Sequence, residues 1–197
     1  METNDATTSA RPRPKDVYRR VTQMSLERPG TQILAIDTET TGLDPVGDEV
    51  LQLSAVDGTG STVMNLRFAP EWHSEWPDAM RINHITPESV TGLPSLRLRR
   101  REVSEILLGY DEFLLYNAPF DLGFLAAAGV GWSAHITDVR VEYSDWLHDN
   151  RNGQGRARLV DAAATFGYDG YDEKAHDALE DARATLYCHR AIHGLTH

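Results

Sequence analysis

The chain has 197 residues, 41% hydrophobic and 25% charged, enough for one domain with a full-sized core and a short tail. Its formal net charge of -11 argues against a protein that coats nucleic acid by bulk electrostatics, but not against an enzyme that takes a nucleic-acid end into a cation-loaded site. No apolar run approaches the roughly 20 residues that span a bilayer, the polar opening METNDATTSARPRPK has no signal-peptide core, and the single cysteine, Cys188, has no intramolecular partner. A cytoplasmic protein without membrane association is the expectation.

Residues 1 to about 15 mix Thr, Ser, Pro and charge without periodicity, which predicts a flexible tail. A short helix over 17–26 follows, with Val17, Val21 and Met24 on one side, and Glu27-Arg28-Pro29-Gly30 reads as a turn. Residues 1–30 are thus read as a tail and 31–197 as the folded domain. Three strands come next: a continuous apolar one over 32–38, an alternating one over 50–56 (Leu51, Leu53 and Ala55 against Gln52 and Ser54), and another over 63–68 with Met64, Leu66 and Phe68 on one face. Asp57-Gly58-Thr59-Gly60 supplies a tight connection, so the three predict an antiparallel meander. Helices are expected at 77–83 and 95–108, then a strand over 113–116. Asn117 is expected to cap a helix that stops at Gly129. A last strand over 135–138 precedes helices near 139–148, 157–166 and 178–192. The order predicts an α/β fold, a mixed five-stranded sheet flanked by helices.

The stretch Ile36-Asp37-Thr38-Glu39-Thr40-Thr41-Gly42-Leu43 ends the first strand with two carboxylates two residues apart. Strand side chains alternate, so Asp37 and Glu39 point the same way and repel each other unless a positive charge sits between them. Asp121 lies in the first turn of a helix after a strand, and Asp181 lies early in the last helix. Carboxylate oxygens suit hard divalent cations such as Mg²⁺ or Mn²⁺, and a pair of ions about 4 Å apart suits phosphodiester hydrolysis. His176 precedes Asp181 by five residues, which on one helix turn through about 500°. It reaches the same site only from a loop before the helix, where a neutral imidazole is suited to accept a proton.

Here the sequence resembles a known family. IDTETTGL (36–43), YNAPFDLGFL (116–125) and HDALEDA (176–182) are similar to the three motifs of the DEDDh 3′–5′ exonucleases, the group of the DNA polymerase III proofreading subunit and ribonuclease T. INHITPE (82–88) and RLVDAA (158–163) add lesser matches, and the similarity runs over about 32–192. The resemblance implies a ribonuclease H-like fold and two-cation hydrolysis from the 3′ end of single-stranded DNA or RNA, releasing nucleoside 5′-monophosphates. It implies Asp37, Glu39, Asp121 and Asp181 as ligands of two Mg²⁺ or Mn²⁺ ions, and His176 as general base. Thr38, Thr40, Thr41, Gly42 and Leu43 would border the terminal nucleotide, Asn83 and Ile85 would help hold its base or sugar, and Asn117 would orient the second motif. Tyr116 stands where the second motif often begins with His, and Asn83-His84 where the middle segment often has His-Gly.

A rival reading is a non-catalytic or polymerase-associated nucleic-acid-binding subunit on the same fold, and a replication partner is compatible with both. A weaker third is cleavage of very short oligonucleotides or nucleotide-linked small molecules. The other histidines, among them His73, His84, His189 and His193, are read as non-ligating, with His189 and His193 on the exposed face of the last helix. The basic run Leu96-Arg97-Leu98-Arg99-Arg100-Arg101 fits both a phosphate-contacting face and a solvated one, and Trp72 and Trp76 fit both base stacking and packing.

Overall fold

The computed structural model describes residues 32–171 and 175–195. The tail and the helix expected over 17–26 lie outside the described residues. The strands are β1 (Ile33–Thr40), β2 (Val50–Asp57), β3 (Thr62–Arg67), β4 (Glu112–Leu115) and β5 (His135–Asp138). They form one sheet in the order β3-β2-β1-β4-β5. The first three pair antiparallel as the short connections demand, and β4 and β5 run parallel to β1. The β2–β3 turn is fastened by the Asp57 carboxylate, which accepts from Thr59 N at 2.7 Å and Ser61 N at 3.1 Å, while Gly60 takes the positive φ of 89°.

Among the described residues, seven helices follow the meander or alternate with the later strands: α1 (Pro77–Asn83), α2 (Pro87–Val90), α3 (Leu96–Leu107), α4 (Ala118–Ala127), α5 (Val139–Arg151), α6 (Leu159–Phe166) and α7 (Ala178–Ile192). On one sheet face, Val103 and Leu107 of α3 and Phe124 and Leu125 of α4 cover Ile36, Leu53, Phe113 and Leu115. On the other, Tyr143 of α5, Ala162 of α6 and Ala182 and Leu186 of α7 cover Ala35, Val56 and Leu114. Burial on both faces is why β1 reads as an unbroken apolar run. A satellite cluster of Leu51, Trp76, Ile85 and Val90 lies under α1 and α2.

Three local expectations change. The alternation in β2 suggested one polar face, yet Gln52 and Ser54 are buried, because α7 packs across β1 and β2. Their polar groups are satisfied sideways: Gln52 Nε2 and Ser54 Oγ each donate to Asn65 Oδ1 at 3.0 Å. Asn117 does occupy the N-cap position of α4, but in a left-handed conformation (φ 75°) with no side-chain cap bond. The Asp138 carboxylate takes over, accepting from Asn117 N at 3.1 Å and Ala118 N at 3.0 Å while also capping its own helix at Arg140 N. The stop at Gly129 holds: Gly129 N donates to Ala126 O and Val130 N to Leu125 O, a Schellman ending with φ 77° at the glycine. Finally, His189 is fully buried rather than on an exposed helix face.

Candidate active site

The parallel pairing of β1 with β4 puts their C-terminal ends at one edge of the sheet, where side chains from different elements converge. Asp37 stands opposite Ser54 and Glu39 opposite Gln52, so both acids lie on the face that α7 covers. The first turns of α7 bring in Asp181, and the chain leaving β4 turns through Asn117 into α4 and brings in Asp121. His176 sits in the turn before α7 with φ 68°, so the loop placement required by its spacing from Asp181 is what the chain adopts. Ligand atoms of Glu39, His176 and Asp181 lie within 4.8 Å of one another.

Neighbours fix these carboxylates in place. Asp121 Oδ1 accepts from Thr38 N at 3.0 Å and from Thr38 Oγ1 at 2.7 Å, tying α4 to β1. Asp181 Oδ1 accepts from Tyr171 Oη at 2.8 Å and from His176 N at 3.2 Å. The electrostatics show how crowded the cluster is. Burial, then the charges of Asp181, Asp121, Glu39 and Asp177, push the Asp37 carboxyl well above its ordinary value. Burial and the same acidic neighbours raise Glu39 to about 9. Burial raises Asp121 to about 7 and Asp181 to about 6 against the hydrogen bonds that stabilise their charged forms. His176 is pushed down, by desolvation first and by the nearby His84 second.

The residues expected to border a nucleotide divide into two groups. Leu43 stands out at 84% exposed. Thr38, Thr40 and Thr41 are buried and build the turn: Thr40 Oγ1 donates to Gly42 O at 2.5 Å, Thr41 N to Glu49 O at 2.8 Å, and Glu49 N to Thr41 Oγ1 at 2.9 Å. Gly42 lies so close to the Asp48 carboxylate that a Cβ there would overlap it. Asn83 and Ile85 are not brought to the surface. Asn83 Nδ2 donates to Thr40 O at 3.2 Å and its Oδ1 accepts from Ile85 N at 3.1 Å, while Ile85 is fully buried, so both brace the end of β1 from behind. Asn117 Oδ1 accepts from Arg140 Nη1 at 3.2 Å.

The sequence reading missed Tyr171, Asp177 and His84. Asp177 caps α7 through Leu179 N at 3.0 Å and adds its charge to the cluster. Its place directly after His176 was the available signal, whereas nothing in the irregular GYDGYDEK stretch marks Tyr171. Of the alternatives left open, Trp76 packs in the core and donates to Ile85 O at 2.7 Å. Trp72 is 61% exposed beneath the Arg97 guanidinium. Arg99 is paired with Glu102, and Arg97 and Arg100 donate to the carbonyls of Ala127 and Arg97.

Residues 34–188 match the family model RNase_T: Exonuclease. The chain is 32% identical over 170 residues to the DNA polymerase III subunit epsilon of Haemophilus influenzae, covering 78% of this chain and 64% of that protein. It is 28% identical over 166 residues to the PolC-type DNA polymerase III of Thermotoga maritima, covering 77% and 11%. The structure of E. coli exonuclease I in complex with a dA16 oligonucleotide superposes with a TM-score of 0.61 at 20% identity, over 79% of this chain and 39% of that one, a likeness of fold. The chain therefore spans less than two-thirds of the length of these relatives. No helix among the described residues is long and apolar enough to cross a membrane. With its ribonuclease H-like sheet and a family match over most of its length, the chain belongs to the exonuclease family of the DEDDh type.

Proposed function

We propose that the chain is a 3′–5′ exonuclease that hydrolyses single-stranded DNA or RNA from the 3′ end and releases nucleoside 5′-monophosphates. The observation that carries this reading is the convergence of Asp37, Glu39, Asp121 and Asp181 at one sheet edge with His176 beside them. Their donor set fits a pair of hard cations: it is rich in oxygen, and burial together with the neighbouring carboxylates raises Glu39 to about 9. Asp37, Glu39, Asp121 and Asp181 would hold two Mg²⁺ or Mn²⁺ ions. Bound there, the ions supply the positive charge that offsets carboxylate repulsion and draws in a phosphodiester.

The chain's own groups do the rest. Thr38 holds Asp121 in one orientation, and Tyr171 with the His176 N–H holds Asp181. The His176 ring, exposed and depressed in pKa, is neutral near pH 7 and positioned to take the proton of the attacking water. Leu43, projecting from the turn that Thr41 fastens to Asp48 and Glu49, offers an apolar surface to the terminal base or sugar. The polymerase names of its relatives favour a replication partner for this chain.

The test uses matched DNA and RNA oligonucleotides labelled at the 5′ end. A ladder shortening from the 3′ end in Mn²⁺, abolished by EDTA and by a 3′ block but not by a 5′ block, is expected. Rapid cutting of a circular single strand, or activity surviving exhaustive EDTA treatment, contradicts the assignment. No hydrolysis under any of these conditions would favour the non-catalytic subunit.

A further inference from the structure

Away from the acidic edge, α5 and α7 meet over a different donor set. Glu142 Oε2 lies 2.8 Å from His189 Nδ1, and Glu142 Oε1 lies 3.1 Å from His193 Nε2. One ligand atom from each of the three residues falls within 4.8 Å of the others. His193, the C-cap residue of α7, lies one turn beyond His189, and their ring centroids are 4.7 Å apart. The His189 side chain is 1% exposed, whereas those of Glu142 and His193 each keep 14%. The group is thus closed on the protein side and open at a rim. His189 follows Asp181 by eight residues, about 12 Å along the helix axis, so the two clusters are separate.

We propose that Glu142, His189 and His193 form a second metal site, selective for a zinc-class transition-metal dication, that bridges α5 and α7. Two imidazoles four residues apart at the C-terminal end of one helix and a carboxylate from a facing helix are a donor set suited to zinc. Metal–ligand bonds of about 2.0–2.2 Å place tetrahedral ligand atoms roughly 3.3 Å apart, which small side-chain rotations reach from the present separations. The solvent rim leaves a fourth position for water. Burial alone would raise the Glu142 carboxyl, but hydrogen bonds from His189 and His193 bring it down to about 2, so the carboxylate is anionic at neutral pH, and metal binding displaces the two donated protons to the opposite ring nitrogens or to solvent. Among the described residues His189 Nε2 has no partner, so the polar anchoring of that ring comes from its Nδ1 side, the side that faces the cluster.

Ligand chemistry separates the two sites. Imidazole favours zinc-class ions over Mg²⁺, while the carboxylate edge favours Mg²⁺ or Mn²⁺. The bridging ion would also serve the acidic edge mechanically. It ties α7, which carries Asp181, to α5, whose first residues are anchored by the same Asp138 that holds the start of the Asp121 helix.

The experiment silences the acidic edge with the double variant Asp37→Asn/Asp181→Asn and titrates the full chain with Zn²⁺ by calorimetry and with Co²⁺ by visible absorption. One equivalent of Zn²⁺, the strong visible bands of four-coordinate Co²⁺, a raised unfolding midpoint and no displacement by excess Mg²⁺ are expected. Adding His193→Gln or Glu142→Gln, both at the partly exposed rim, should remove that equivalent and the cobalt bands while circular dichroism stays native. Absence of the equivalent in the double variant, or its survival in a folded His193→Gln protein, overturns the site.

Discussion

His176 occupies the left-handed region at φ 68°, one residue before the cap of α7. That conformation turns its N–H onto Asp181 and leaves its ring exposed at the site. Replacing it by Ala should lower turnover roughly 10²–10⁴-fold, with little change in divalent-cation affinity measured by calorimetry. Because its pKa is held below the ordinary 6.5, the histidine-dependent rise of the wild-type rate should have its midpoint below that pH, and His176→Ala should lack that rise. Wild-type turnover in the variant would make the histidine a bystander. At this scale the sequence was informative wherever chemistry followed from spacing. Asp37 and Glu39 had to share a face, and His176 had to leave the helix. Ile85 and Asn83 were harder, because whether they face substrate or core depends on Leu51, Trp76 and Thr40, which only the tertiary fold brings beside them.

Among the elements, α4 depends on a residue well outside its own span. Asp138, at the end of β5, accepts from N–H groups at the starts of α4 and α5 and so anchors the beginning of the helix that carries Asp121. Asp138→Ala leaves those donors without their acceptor and should cost about 1–2 kcal/mol, roughly a 2–8 °C fall in unfolding midpoint by calorimetry. Turnover should fall as well, since Asp121 loses its fixed approach to Thr38. An unchanged midpoint would mean that water replaces the carboxylate. Apart from the four-residue helix Pro87–Val90, which no periodicity announced, existence and order of the elements were legible from period and punctuation, down to the strand at His135–Asp138 and the helix at Ala178–Ile192. The capping partner was not, since Asn117 satisfied the local rule while the bond came from 21 residues away. The polar positions of β2 misled for a related reason: Gln52 and Ser54 are buried beneath α7 and bonded to Asn65 in β3.

Over the whole molecule, the fold holds a set of like charges together at the edge of its sheet. Glu39 is raised from 4.5 to about 9, Asp121 from 3.8 to about 7 and Asp181 from 3.8 to about 6, chiefly by burial and in Glu39 also by one another's charge. For an acid whose folded pKa lies above its unfolded value, the stabilising contribution is complete below the unfolded pKa and is lost as pH rises through the folded one. The metal-free protein should therefore weaken from about pH 4 upward, through about 6, 7 and 9 in turn, and a divalent cation should restore what is lost. The net charge of -11 works in the same direction, which makes a single charge removal inside the site the cleaner probe.

Thermal unfolding of the metal-free wild type and of Asp37→Asn, followed from about pH 5 to about pH 9 with and without Mg²⁺, isolates that stored repulsion. The wild-type midpoint should fall across this range and recover with Mg²⁺. Asp37→Asn should fall less, lie above the wild type at the alkaline end, respond weakly to Mg²⁺ and lack hydrolytic activity. A wild-type profile that is flat and indifferent to Mg²⁺, or an Asp37→Asn protein less stable than the wild type at the alkaline end, would contradict a cation-binding carboxylate site.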